Sequence, residues 1–347
     1  MKRLAVFVSA LVSLFTFAPV FAYAHEVYVL TPSEIAQGMA TPPFSLWDTM
    51  LSNLGSFEFW AFVGALMVFC VFLVSISRTL ERKLDPFLMR IKKYAPAIAR
   101  VTVGLAFLAA AYYQAIFGPE LSLVNVFGSF APLVTVLLVA VGLLFCLGVL
   151  VRPAAIIALC LFAITASKDG SYMLTYTNYF GEIILLILLG DSIAGNKRSK
   201  RNWFHWFAEK VRPYRFAILR VAFGTSLLYA SLYAKVFHNV LALQVATLPF
   251  GRAHDIAYQL GFEPHFLVLG AAIVEILIGL FFLLGIEIRF TALFLEFWLT
   301  LSLLYFGEVV WPHLILIGIP IAFICHGYDK GSVEGIFFKK GKVEPVL

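Results

Sequence analysis

Nine predominantly apolar runs, at residues 57–78, 97–117, 129–149, 153–168, 173–190, 215–236, 264–285, 289–305 and 311–325, follow one another along this chain. They restrict its fold more than any other feature. Crossing about 30 Å of hydrocarbon at about 1.5 Å per residue takes a helix of about 20 residues. Hydrophobic residues make up 61% of the 347, charged ones only 13%, and the mean hydropathy is +0.92, outside the range of a soluble globular chain. The expectation is an all-α fold, a polytopic transmembrane helical bundle with one span for each run.

The chain opens with Met1, Lys2 and Arg3, an apolar run from Leu4 to Val20, and Ala22 and Ala24 around Tyr23. A basic start, an apolar stretch and small residues at the end read as a secretory signal peptide over 1–24, leaving His25 as the mature N-terminus; an uncleaved signal anchor is the alternative. Residues 25–56 form a short extracytoplasmic segment, too small for a core of its own. Val27 to Leu30 look β-like, Thr31 or Ser33 is placed to cap a short helix, and Trp47 and Trp60 are placed as interfacial aromatics. Arg82, Lys83, Arg90, Lys92 and Lys93 in the loop 79–96, the basic residues of the linker 191–214, and Lys330, Lys339, Lys340 and Lys342 in the tail 326–347 all fall on one side of a nine-span chain. The positive-inside rule makes that side cytoplasmic, in a cell inner membrane. The net charge of +6 is therefore topological: the expected partner is membrane lipid, not nucleic acid. Within the linker, Trp203, Phe204, Trp206 and Phe207 beside basic residues read as a short interfacial or partner-docking helix. Cys70, Cys146, Cys160 and Cys325 lie in apolar runs without CxxC spacing and read as small buried hydrophobes.

Two stretches repeat. Arg100 and Gly104 in ARVTVG have the spacing of Arg220 and Gly224 in LRVAFG, and Gly142, Gly148 and Arg152 have the spacing of Gly279, Gly285 and Arg289. The matches fall in the same order, so the natural unit is a four-helix module used twice, at 97–190 and 215–325, after the extra span 57–78. An even number of spans per module gives both copies one orientation, related by an axis along the membrane normal. All of these glycines suit close helix contact, a structural role.

Charged groups inside apolar runs are the candidates for chemistry, because an ionisable group at membrane depth is costly unless paired or facing a polar cavity. Glu275 lies near the middle of its run and is the candidate proton acceptor. Lys235, nearer the outer end of its own run, is placed to snorkel or to pair with it. Glu296 is expected to face Arg220 or Arg289 in a structural role. His25, His238, His254, His265 and His313, with Asp255 and Glu308, gather on the outer side as a candidate metal set, and the His25 α-amine and ring offer a chelate to copper. Their spacing matches no closed zinc motif. Tyr172, Tyr176 and Tyr179, with Glu182, read as aromatic-belt packing or as a ligand mouth. No HExxH, phosphate loop or CxxCH is present.

The pattern Arg220-x3-Gly224 with Lys235 one span later, then Glu275-x3-Gly279-x5-Gly285-x3-Arg289, resembles the DoxX family of small four-helix membrane proteins, clearly over 215–325 and more weakly over 97–190. The resemblance implies a four-helix bundle linked with electron transfer and sulfur or thiol metabolism. It points to a membrane subunit of a quinone-linked oxidoreductase working with a redox partner subunit, with quinone as the implied cofactor and Glu275 and Lys235 as its site. Leu138 and Ala115 stand in the first module where Glu275 and Lys235 stand in the second. That module is therefore expected to be scaffold or cavity wall. The rival readings are a metal or small-solute binding or transport protein, and a membrane scaffold for a partner complex.

Overall fold

The computed structural model describes residues 30–190, 203–247, 263–306, 310–327, 329, 331–333 and 335–336. Residues 1–24, expected to be a signal peptide, His25, His254, Asp255, Glu308 and residues 191–202 of the linker lie outside them. Helices carry the fold: α1 (Pro32–Ala40), α2 (Leu46–Asn53), α3 (Phe57–Ile91), α4 (Ala95–Tyr113), α5 (Leu123–Phe127), α6 (Ala131–Leu147), α7 (Val151–Asp169), α8 (Thr177–Leu189), α9 (Trp203–Val211), α10 (Arg215–Leu232), α11 (Asn239–Ala246), α12 (Pro264–Leu284), α13 (Ile288–Phe306) and α14 (Val310–His326). Among the described residues there is no strand, only an isolated bridge between Ala115 and Ser122. A helix occupies each of the nine apolar runs. The stretches Lys92–Tyr113, Leu123–Leu147, Val151–Leu189, Trp206–Phe237 and Pro264–Leu284 are long and apolar enough to cross a membrane, and Leu46–Asn53 with Phe57–Phe72 adds a sixth, bent by 103°. These are the marks of a multi-pass membrane protein.

Close contacts recur along the bundle at constant sequence offsets. Gly104 and Gly142 bring α4 and α6 together so tightly that a Cβ on Gly104 would lie 2.9 Å from the Gly142 carbonyl oxygen. Gly224 and Gly279 do the same for α10 and α12, where a Cβ on Gly224 would lie 2.9 Å from the Gly279 oxygen. Between helices in lipid, backbone approach of this kind replaces the hydrophobic drive available in water. Gly148 and Gly285 end α6 and α12 in the left-handed region, at φ 74° and 69°, and Leu150 and Glu287 follow at φ 49° and 45°. Arg152 then donates its Nε to the Ile187 carbonyl (3.1 Å), and Arg289 its Nε to the Ile324 carbonyl (3.0 Å), tying the starts of α7 and α13 to the ends of α8 and α14. The cross-contacts are reciprocal: Gly181 of α8 packs on Leu219 and Ala222 of α10, and Gly318 of α14 packs on Thr102 of α4. The main buried core runs through all of these helices.

Elsewhere the structure corrects the reading. Residues 79–91 are not a loop: α3 continues through the helix-forming stretch Leu80–Leu84 to Ile91, and a 3₁₀ turn, Lys92–Tyr94, leads into α4. The segment at 30–56 has no core of its own but lies against the second half. Leu30 packs on Leu241 and Val245 of α11, while Leu46 and Met50 of α2 join Phe59, Phe266 and Leu269. Thr31 caps α1 through a reciprocal capping box with Glu34, with Pro32 in the first turn. The aromatic stretch of the linker is helical (α9), with Trp206 exposed and Lys210 over its ring. The four cysteines are all free thiols.

Candidate functional site at Lys235 and Glu275

α10 does not end in a simple cap. Its last residues pass into a π turn, Tyr233–Phe237, closed by the His238 N–H donating to the Tyr233 carbonyl at 3.0 Å. π turns are rare and occur often at functional sites, because the added residue redirects side chains. Here Lys235 is turned into the bundle, 6% exposed. Its Nζ lies 2.9 Å from Glu275 Oε2, the lysine side chain 7% and the glutamate side chain 21% exposed. Glu275 sits in the middle of α12, so of the two arrangements open to Lys235, snorkelling or pairing, the structure has the pair. The pair keeps a charged acid where a lone carboxylate would be strongly disfavoured.

The N-terminal segment roofs this end of the second half. Asn239, fully buried at the start of α11, accepts from the Phe44 N–H at 3.0 Å and donates to the Phe44 carbonyl at 2.8 Å. Gly38 leaves room for Leu241, whose Cδ2 would be 2.4 Å from any added Cβ. The Tyr233 hydroxyl reaches Met39 Sδ at 3.8 Å. On the adjacent face of α12, Val274, Leu277, Ile278 and Phe281 line an apolar groove of about 230 Å³ with Phe62 and Phe69 of α3 and Phe294 of α13.

Arg220 and Arg289, candidates for a structural role, bond to helix-end carbonyls, and Arg220 has a partner other than the expected Glu296. Arg220, 1% exposed, donates to the Phe282 and Leu283 carbonyls at the end of α12 and pairs with Asp329 (Nε to Oδ2, 2.9 Å), with Gly331 accepting a further bond. Glu296 makes no ion pair with Arg220 or Arg289 among the described residues; the tail folds back and Asp329 takes Arg220 instead. Arg100 lies against Gly148, where an added Cβ would meet its Nη1 at 1.6 Å, and its Nε has no hydrogen-bond partner among the described residues. No family model matches the chain, and neither curated proteins nor solved structures gave a match.

The histidines do not converge where they are described. His265 contacts Glu263 and packs edge-on against Phe44, His238 packs on Tyr233, and His313 is fully buried on α14. Among the described residues no three His, Cys, Asp or Glu side chains are grouped to hold a metal. Two of the three tyrosines are not placed as an aromatic belt: Tyr176 is 5% and Tyr179 2% exposed, inside the bundle, while Tyr172 is half-buried. Trp47 and Trp60 are exposed, and Trp60 Nε1 donates to the Leu54 carbonyl at 2.8 Å. Sequence reasoning passed over Asp329 and Glu120. Neither has a local signal, since each acquires its role from residues far away in sequence.

Proposed function

We propose that this protein is a DoxX-like inner-membrane protein, made of an extra N-terminal span and two four-helix modules, that serves a quinone-linked redox system of sulfur or thiol metabolism together with a redox partner subunit. The Lys235–Glu275 ion pair carries the reading. A carboxylate paired with one buried cation is a proton acceptor that does not keep its proton: protonation of Glu275 leaves the Lys235 ammonium, 7% exposed, without this counter-charge, so the proton passes on and the pair is restored. The recurrent glycine and arginine contacts support the duplication, and their order supports a parallel arrangement of the two modules; nine spans and an extracytoplasmic mature N-terminus rest on the apolar runs and on the placement of the basic residues.

A quinol, when bound, would supply two electrons, taken by the redox partner subunit, and two protons, one to the Glu275 carboxylate and the other to solvent. Glu275 is the acceptor for one proton, Lys235 orients the carboxylate, and the apolar groove beside α12 fits an apolar side chain of the ligand. The test is extraction in mild detergent followed by mass spectrometry and metal analysis of what stays bound. Quinone retained by the native protein and lost from Glu275→Gln is the expected result; equal retention by both, or metal retained by both and lost after His25→Ala, overturns it.

A further inference from the structure

The two halves of the bundle have corresponding corners that differ in charge. In the second half Gly285 closes α12 with Arg220 beside it, and the Asp329 carboxylate takes the Nε and Nη2 edge of the guanidinium, at 2.9 and 3.2 Å. Glu287, buried at φ 45°, stands just before α13, and the tail covers the corner, with Ser332 Cβ 2.5 Å from where a Gly285 Cβ would be. In the first half Gly148 closes α6 with Arg100 beside it, so near that the three closest described atoms to an added Cβ are its Nη1, Cζ and Nη2. Leu150, at φ 49°, holds the place of Glu287, two residues past the glycine, and α7 starts from it without a side-chain cap.

Arg100 is 8% exposed, and among the described residues no hydrogen bond or ion pair reaches its guanidinium. The three acids of the stretch from α4 to α8 are placed elsewhere. Glu120 accepts the Tyr172 and Tyr176 hydroxyls beyond the opposite end of α4, Asp169 closes α7 far from its start, and Glu182 is fully buried in α8 with neither oxygen partnered. A guanidinium shielded from water and left without a counter-charge is costly, and an anion that seats on it removes the cost.

The form of that anion follows from the corner. The edge that takes a carboxylate on Arg220 takes the two oxygens of a phosphodiester equally well. The uncapped start of α7, three residues beyond Gly148, adds free N–H groups and the positive end of a 19-residue helix. Leu147, Val149 and Leu150 are all exposed around it. In a membrane-spanning bundle such side chains lie against acyl chains, so an anion arriving here comes attached to them.

We infer that the α6–α7 corner of the first half binds the phosphodiester headgroup of an anionic phospholipid, with Arg100 as its ligand and the apolar side chains of the corner along its acyl chains. The lipid does for Arg100 what Asp329 does for Arg220: the second half carries its anion in the chain and the first half recruits one. The site shares no residue with Lys235 and Glu275, so the failure of either reading leaves the other standing.

The experiment is native mass spectrometry of the full-length protein, purified in a non-ionic detergent, stripped of lipid and titrated with phosphatidylglycerol or phosphatidylcholine. One phosphatidylglycerol is expected to bind about fivefold more tightly than phosphatidylcholine, and the preference is expected to vanish in Arg100→Gln. Leu150→Glu guards against an arginine variant that does not fold. It changes an exposed side chain, gives the corner the acid that the second half carries, and is expected to abolish the preference with Arg100 in place. Equal binding of the two lipids by the native protein, or a preference that survives in either variant, overturns the inference. Inorganic phosphate at millimolar concentration is expected to leave the lipid adduct in place; displacement would assign the corner to a free anion and overturn the lipid.

Discussion

The two halves of the bundle use the same packing devices and place their acids in opposite circumstances. In both, a glycine pair brings the first two helices into backbone contact, a left-handed glycine ends the second helix, and an arginine in the next helix holds a carbonyl near the end of the fourth. In the second half Glu275 meets Lys235 and Arg220 meets Asp329; in the first, Glu182 and the Arg100 Nε meet no polar partner among the described residues. The difference shows which features serve the packing and which were free to diverge. Helix contact depends on small residues at fixed spacing, and the charge state of a buried acid depends on whether a cation reaches it.

The largest expected effect comes from breaking the Arg220 contact. Asp329→Ala leaves a guanidinium 1% exposed with only backbone oxygens as partners, and removing one member of a buried pair costs about 3–5 kcal/mol. Arg100→Met, which removes no ion pair, is expected to cost less than half as much. Denaturant unfolding of both variants in one detergent checks this, and equal losses would erase the distinction between the two arginines.

Next comes the site itself. Lys235→Met strands a carboxylate that is 21% exposed, for an expected loss of about 1–3 kcal/mol. The double variant Lys235→Met with Glu275→Gln is expected to recover most of it, with a coupling of about 0.5–3 kcal/mol. Under the proposed function, quinone retention is expected to stay lost in the double variant, which separates the structural part of the pair from its chemistry. Additive losses would show that the two side chains act independently and that only packing was perturbed.

The glycine contacts sharpen the comparison from the other side. Gly104→Ala and Gly224→Ala each push a methyl to within 2.9 Å of a carbonyl oxygen, and overpacking of this kind costs about 1–3 kcal/mol. Because the surroundings recur, the two losses are expected to agree within about 0.5 kcal/mol. Losses that differ by more would mean that the halves share spacing without sharing mechanics.

How far the sequence reached follows from the range of each interaction. The apolar runs placed a helix in each predicted segment, and the glycine and arginine spacings marked contacts that the structure makes, because both are set by local periodicity. Lys235 and Glu275 stood out because charge is rare at that depth. Asp329 did not: it sits in a polar tail 109 residues from Arg220, and nothing in the tail marks which acid folds back. The expectation that Glu296 would meet Arg220 failed for the same reason. Glu182 and Glu275 look alike as lone acids in apolar runs, and only the tertiary structure gives a lysine to one of them. Residues 79–91 continue α3 where a loop over 79–96 is expected, because charged residues extend a helix past a membrane without penalty.

The smallest expected effect tests a helix start that differs between the halves. α12 begins under a side-chain cap, with Glu263 accepting from the Phe266 N–H at 2.9 Å and the His265 N–H at 3.2 Å, while α6 begins at Phe130 with no side-chain cap. Burial pushes the Glu263 carboxyl up, but the Phe266 and His265 backbone bonds and the His265 ring outweigh it and hold it below its ordinary value. A carboxyl depressed in the folded state contributes stability that is present above its unfolded value and lost as pH falls through the folded one. The side chain is 50% exposed, so solvent screening keeps the contribution to about 0.5 kcal/mol, near the low end for a cap. Glu263→Ala is therefore expected to lower the thermal midpoint slightly at neutral pH and by progressively less as pH falls toward about 3. A deficit that persisted unchanged at low pH would mean that the glutamate supports α12 by packing rather than by charge, and the helix starts of the two halves would then differ in shape alone.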